Sequence, residues 1–440
     1  MSTRFVSALG LTALAFALTV PAFAGSQARI VRLSDVKGSV QIDKNTGLGF
    51  ENAFLNLPVT QGTQLKTGAT GRAEVEFEDG STLRLTPNTT VHFPELSLQE
   101  SGQRASTVEL VEGMAYVNWI GKDELNLNFA REKVALNHAA HFRVDAWPQK
   151  ADVAVFKGDV NVEGPSGTLS VEKKKTASFD PSDNDKSTLA SKIAEEPFDS
   201  WDKESVSYHD QYAKKTYTSP YGYGLSDLNY YGAFTPVAGY GMMWQPYFVG
   251  AGWDPFMDGA WGFYPGFGYM FASAYPWGWL PYRYGNWMFV PNFGWMWQPG
   301  GWNTWLTVPH YTATTLATPH TLVPPAGSVK TVTVGRATTL STMNSRMASR
   351  MVVNSGSAGL GIPRGSVNNL GHLNHQVAKS GFAEVRPSPQ FTGVRGSSNA
   401  GYSGSARAQG GGASGRSAPS SPMGSAGGGH MSGGGGSPHR

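Results

Sequence analysis

Residues 284–299 read YGNWMFVPNFGWMWQP, and how they fold decides the C-terminal half of the chain. Strand side chains alternate with period two, so Trp287 and Phe289 share one face and Met288 and Val290 the other. Pro291 fixes φ, while Asn292 and Gly294 tolerate positive φ, which is turn chemistry. Trp295, Met296 and Trp297 then alternate on a returning strand. The stretch is a β-hairpin made largely of rings.

The same pattern recurs on its N-terminal side. Gly232, Gly259 and Gly285 open three units, 27 and 26 residues apart, a period typical of stacked supersecondary units. The first hairpin carries Phe234, Pro236, Gly241 and Trp244. The second carries Trp261, Phe263, Pro265, Gly268, Tyr269 and Phe271. Gly252-Trp253-Asp254-Pro255 and Gly278-Trp279-Leu280-Pro281 close the first two units, and Gly301-Trp302-Asn303 closes the third without its proline. Residues 228–305 hold 10 of the 13 tryptophans and few Leu, Ile or Val. The rings must therefore supply the core. Tyr and Trp also pair a flat apolar face with a polar edge, which suits stacking on sugars. Rings in excess of the core would form an exposed patch. The residues expected to stack on a ligand are Trp253, Trp279 and Trp302 in the knots, with Tyr282 and Tyr284.

A chain of 440 residues has room for two or three domains. Residues 1–24 read as a secretory signal: Arg4, an apolar run from Val6 to Val20, then Ala22-Phe23-Ala24. The run is short for a bilayer span, and no later stretch is long and apolar enough to be one. The mature chain is thus expected to be exported, periplasmic or at the cell surface. There is no cysteine, so thiol catalysis, lipoprotein attachment and Cys-based zinc sites are excluded, and core burial must replace disulfides. The formal charge is +3, but eleven Lys/Arg against Glu384 alone lie beyond residue 329. That basic tail could contact anionic envelope polymers; specific nucleic-acid binding is not expected.

From Ile30 to Phe179 short alternating runs succeed one another, among them Ala73, Val75 and Phe77, then Leu83 and Leu85, then Val153 and Val155. Asp79-Gly80 between two such runs is a hairpin signal. Many short strands at tight spacing make a sandwich, roll or barrel with one wet face. On that reading Glu74, Glu76 and Glu78 form a solvated face.

Two stretches here resemble the FecR domain family. Residues 60–93, TQGTQLKTGATGRAEVEFEDGSTLRLTPNTTVHF, are similar to its Gly-x-x-Leu-x-Thr-Gly, Asp-Gly-Ser and Leu-x-Pro-Asn-Thr pattern. Leu110, Gly113 and residues 141–164, HFRVDAWPQKADVAVFKGDVNVEG, are similar to its second half. The resemblance implies an extracytoplasmic, all-β, non-catalytic module. Two features depart from the family pattern. The domain follows the export signal directly, without the cytoplasmic region that holds a σ factor in the best-known members. Glu172-Lys173-Lys174-Lys175 stands where a glycine turn is usual.

Other chemistry is thin. His138 and His141 lie three apart, as do His372 and His375, and a spacing of three on a strand puts side chains on opposite faces. They read as surface imidazoles, and no metal or cofactor is expected. Asp180, Asp183 and Asp185 lack the glycine and distal glutamate of an EF-hand and read as linker. No nucleophile elbow, phosphate loop or dinucleotide fingerprint occurs, so no catalytic residue is assigned and an enzyme is not expected.

The expected organisation is mainly β. A signal occupies 1–24, a FecR-like antiparallel module 28–180, and a linker with a short helix 181–227. A Gly/Tyr/Trp-rich hairpin-repeat module at 228–306 and a low-complexity, mostly disordered basic tail at 307–440 follow. Phe198, Trp201, Tyr208 and Tyr212 mark the helix. The expected function is an envelope-associated binding or scaffold protein touching cell-wall glycan or an envelope protein. The alternative is a FecR-type sensor that relays a surface signal to a membrane partner.

Overall fold

The computed structural model describes residues 29–99, 101–121, 123–213, 222–250, 252–264, 267–302, 351–354 and 356–385. Residues 1–24, expected to be an export signal, the side chain of Trp302, Trp305 and the Gly/Ser-rich stretch from Gly396 lie outside the described residues.

Residues 31–190 build two β-sheets that share one long strand. The first sheet runs, in spatial order, Lys186–Ala190, Thr176–Asp180, Lys150–Lys157, Ala140–Trp147, Arg104–Trp119, Thr82–Leu85, Arg72–Glu76, Val31–Lys37 and Pro58–Val59. The second runs Glu51–Asn52, Val40–Asp43, Gln64–Thr67, Thr90–Leu98, Arg104–Trp119, Glu124–Phe129, Glu132–Leu136, Asp159–Gly164 and Gly167–Glu172. Described pairings here are antiparallel except that of Arg104–Trp119 with Glu124–Phe129. The residues that alternate in the sequence, such as Val75, Leu85, Val91, Leu127, Val144 and Val153, are buried in one core.

The shared strand changes sheets at Gly113. Residues before it pair in the second sheet and residues from it onward pair in the first. Gly113 has φ +111°, and a Cβ there would sit 2.5 Å from Thr89 Cα. Thr89 Oγ1 accepts from Met114 N at 3.2 Å and donates to Met114 O at 3.1 Å. Thr86 Oγ1 donates to the same carbonyl, and Thr67 Oγ1 donates to Thr86 O at 2.6 Å. The threonines of the FecR-like pattern thus satisfy backbone groups where a ladder is interrupted, a demand that any buried bend imposes.

The sandwich extends ten residues past its expected edge, because Lys186–Ala190 pairs with Thr176–Asp180. Asp180, Asp183 and Asp185 form the connecting turn and not a linker; Asp180 Oδ1 accepts from Ser182 N at 2.9 Å, and Asp185 meets Arg131 at 2.7 Å. At the Glu172–Lys175 turn, Lys174 adopts φ +67°, the conformation a glycine would take.

Helix α1 (Asp199–Tyr212) forms where expected and buries Trp201, Tyr208 and Tyr212. A second helix, α2 (Leu225–Tyr231), precedes the first hairpin. The three hairpins are present at 232–246, 259–273 and 284–302. They do not stack in chain order. The first and third join into one four-stranded sheet through Trp244 and Trp297. The second turns away, and its Tyr264, Met270 and Ala272 complete the core of the sandwich.

Part of the stretch expected as a mostly disordered tail is folded. Met351–Asn354 pairs with Phe382–Val385, and helix α3 (Leu370–Ser380) lies between them. Leu360, Ile362, Leu370, Leu373 and Val377 from this segment are buried among the tryptophans. These are the aliphatic side chains that residues 228–305 lack.

Gly113→Ala should destabilise the fold by about 1–3 kcal/mol from backbone strain alone, with the Thr89 clash adding to it, measured by chemical denaturation. Lys174→Gly relieves a left-handed non-glycine residue and should raise stability by about 1 kcal/mol in the same assay.

Candidate functional site

Four of the rings expected to stack on a ligand, Trp253, Trp279, Tyr282 and Tyr284, pack against other rings. Trp253 is buried against Tyr275, Trp277 and Trp287, and its Nε1 donates to Tyr275 Oη at 2.8 Å. Trp279 is fully buried, with the Arg283 guanidinium 4.8 Å from its ring centroid and Tyr223 against its edge. Tyr284 is buried and shares a 2.8 Å hydrogen bond with Tyr223. Tyr282, half-buried, lies between Phe256, Phe271 and Trp277, and its hydroxyl donates to Pro255 O. Trp253, Trp279 and Tyr284 are buried and Tyr282 is half-buried. The reason is arithmetic of volume: rings that replace aliphatic side chains must fill the interior first.

The histidines do not converge. His138 is half-buried beside Asp159, and His372 and His375 are exposed on α3. His141 departs from the surface reading, because its Nε2 lies 2.7 Å from Asp202 Oδ2 under α1. Among the described residues no group of three or more His, Asp or Glu could hold a metal ion.

The polar centre of the molecule lies on the face expected to be wet. Glu74 and Glu76 are each 1% exposed. Helices α1 and α2 and the segment around Arg364 cover this face of the sheet, so alternation on Arg72–Glu76 separates two interiors instead of core from water. Glu74 Oε2 accepts from Arg84 Nε at 2.8 Å. Glu74 Oε1 accepts from Arg364 Nη1 at 2.6 Å and Ser34 Oγ at 2.7 Å, and lies 3.1 Å from His209 Nε2. Glu76 Oε2 accepts from Arg32 Nη1 at 3.0 Å and from Gly224 N at 3.0 Å. Arg32 Nη1 also lies 2.7 Å from Asp227 Oδ2 on α2. Arg84 Nη1 donates to Asp202 on α1 at 2.9 Å. Glu78 forms a separate bidentate pair with Arg29, at 2.8 and 2.7 Å.

Arg364 ties the three parts together. Its Nε and Nη2 donate to the two oxygens of Asp227 at 2.9 Å each, Nη1 reaches Glu74, and Nη2 also reaches Ser34 O at 2.6 Å. Planar bidentate geometry of this kind is what arginine offers and lysine does not. Burial pushes the Glu74 carboxyl upward, but His209, Arg364 and Arg84 outweigh it and hold the group well below the usual carboxylate range. Asp227 behaves alike: burial raises it, and Arg364 and Arg32 bring it below its ordinary value. Glu76 goes the other way, because burial exceeds the pull of Arg32 and His209.

The sequence did carry a signal for part of this. Arg84 pairs directly across from Glu74 and Arg32 across from Glu76 on neighbouring strands, and opposite charges at such positions support one another. Arg364, His209 and Asp227 had no such signal, being separated from Glu74 by up to 290 residues.

The fold and this network define a β-sandwich to which an aromatic hairpin module is locked by buried charge. Residues 63–161 match the family described as FecR protein, and residues 225–321 match a family of unknown function, DUF6600. No curated protein matches the chain. Two crystal structures of a protein from Parabacteroides distasonis ATCC 8503 assigned as an anti-sigma factor align with 31% of this chain at 18% identity, with a TM-score of 0.27. The chain spans 63% of the length of those structures.

Removing one partner of a buried ion pair strands the other, so Arg364→Ala and Glu74→Gln should each cost about 3–5 kcal/mol in denaturant unfolding. Glu76→Gln should cost far less, because the fold already disfavours its charge. Glu74 and Asp227 have depressed folded values, so their stabilisation is complete above the ordinary carboxylate range and is lost as pH falls through the folded values. Acid titration of stability should therefore be shallower in Glu74→Gln than in the parent protein.

Proposed function

We propose that this chain is an extracytoplasmic, non-enzymatic regulatory module of the FecR type, which relays a signal to a membrane or envelope partner. The observation that carries this reading is a coincidence of place. The strand Arg72–Glu76 lies within the FecR match; its Glu76 shares Arg32 with Asp227 at the start of the DUF6600 region, and its Glu74 shares Arg364, beyond that region, with the same Asp227. Movement of the aromatic module would have to break or re-form charge pairs on a strand of the FecR domain. That is a physical route for relay, because a buried ion network has few tolerable arrangements. Among the described residues no helix is long and apolar enough to cross a membrane.

The glycan- or protein-binding reading expected first is supported less well, since Trp253, Trp279 and Tyr284, three of the rings chosen for it, are buried. Val111 and Ile120, 55% and 51% exposed on and beside the shared strand, are apolar side chains of the FecR domain open to a protein partner. A photo-crosslinking amino acid placed at each position in living cells should yield an adduct with one envelope or membrane protein. Deleting the gene should change transcripts of an envelope-responsive regulon. An absence of both adduct and transcriptional change would sink the proposal.

A further inference from the structure

Among the described residues, helix α1 meets the first sheet through guanidinium, phenol and imidazole groups. Arg84 Nη1 donates to Asp202 at 2.9 Å, and Tyr116 Oη and Arg143 Nη1 each donate to Asp199 Oδ1 at 2.7 Å. His141 of the sheet meets Asp202 Oδ2 at 2.7 Å, and His209 of the helix meets Glu74 Oε1 at 3.1 Å. Guanidinium and phenol stay protonated near neutrality, whereas imidazole is the side chain that changes charge there.

His209 is buried, and both of its ring nitrogens face acceptors. Nε2 points at Glu74, which its guanidinium neighbours hold ionised, so that oxygen can only accept. Nδ1 lies 3.1 Å from Ser226 Oγ on α2 and 3.8 Å from Glu76 Oε1. The imidazolium donates from both nitrogens and fits this setting, whereas the neutral ring turns a lone pair toward Glu76.

The charges around His209 lead to the same place. Glu74 and Glu76 face it from the strand Arg72–Glu76, and Asp227 with Ser226 from α2. Arg32, Arg84 and Arg364 bind these carboxylates from two further strands and the distal segment. Tyr208 on α1 donates to Asp227, and Asp202 on α1 joins the set through Arg84. Glu74, Glu76, Asp202 and Asp227 thus meet only three guanidiniums, and one negative charge stays uncovered until a proton enters. A buried uncovered charge is strongly destabilising.

We propose that a single proton, held between His209 and Glu76, fastens helices α1 and α2 to the sandwich, and that its loss at alkaline pH loosens them. Burial raises the Glu76 carboxyl, so assembly takes up a proton and the attachment weakens as pH rises through the assembled-state value. The device belongs to the interface itself and does not depend on the relay reading.

Hydrogen exchange of the full chain, read by mass spectrometry and corrected for the intrinsic pH dependence of exchange, tests it. Peptides from Asp199–Tyr212 should lose protection between about pH 6 and about pH 9, by up to about tenfold per pH unit for one proton. Peptides from Arg104–Trp119 should stay constant. Glu76→Gln removes the uncovered charge, so α1 should then stay protected across the range. His209→Gln keeps a donor for Glu74 but carries no charge, so α1 should be loose at every pH and lose the response. Should that variant fail to fold, the Glu76→Gln comparison decides alone. Protection of Asp199–Tyr212 that ignores pH in the parent protein would overturn the proposal, as would a Glu76→Gln variant with the parental response. A response that only His141→Gln removes would also overturn it, by assigning the proton to the Asp202 pair.

Discussion

The carboxylate of Glu74 has almost no access to water, and the rest of the architecture answers to that fact. An isolated buried charge costs several kcal/mol even after the protein relaxes around it, and removing one member of a pair leaves that cost uncovered. Glu74 is tolerable only where Arg84, Arg364, Ser34 and His209 arrive together. Those groups come from two strands of the sandwich, from helix α1 and from a segment far along the chain. The network therefore favours the assembled arrangement over partly assembled ones, in which some charge would be buried without a partner.

The aromatic module follows a second constraint. Trp244, Trp253, Trp277 and Trp287 meet mostly edge to face, with centroids 4.9–6.3 Å apart, the geometry that ring quadrupoles favour. Each indole also brings an N–H that must be satisfied: Trp244 donates to Leu228 O, Trp277 to Ala358 O and Trp297 to Tyr284 O. Flat, rigid rings leave irregular gaps between them. Leu370, Leu373 and Val377 of α3 pack into that cluster, so the repeats are completed by a segment that shares none of their composition.

The residues that carry the FecR resemblance turn out to be structural. Thr67, Thr86 and Thr89 bond the backbone beside Gly113, where one strand passes between sheets. They fix a shape. What distinguishes this chain is the use made of that shape, because one side of its first sheet receives helices α1 and α2 together with Arg364.

The sequence by itself determined the local structure. Period-two alternation placed the strands, Asp79-Gly80 and Pro291-Asn292 placed hairpin turns, and the ring spacing placed helix α1, because these depend on neighbours a few residues apart. It also determined that rings would form the second core, since nothing else in residues 228–305 was available. Only the tertiary structure decided that Glu74 and Glu76 face inward, that the second hairpin serves the sandwich, and that residues 351–385 belong to the tryptophan core. Alternation tells which side chains share a face but not what covers that face. Whether a carboxylate meets water or a guanidinium depended on Arg364, 290 residues away, and no local pattern encodes a contact of that range.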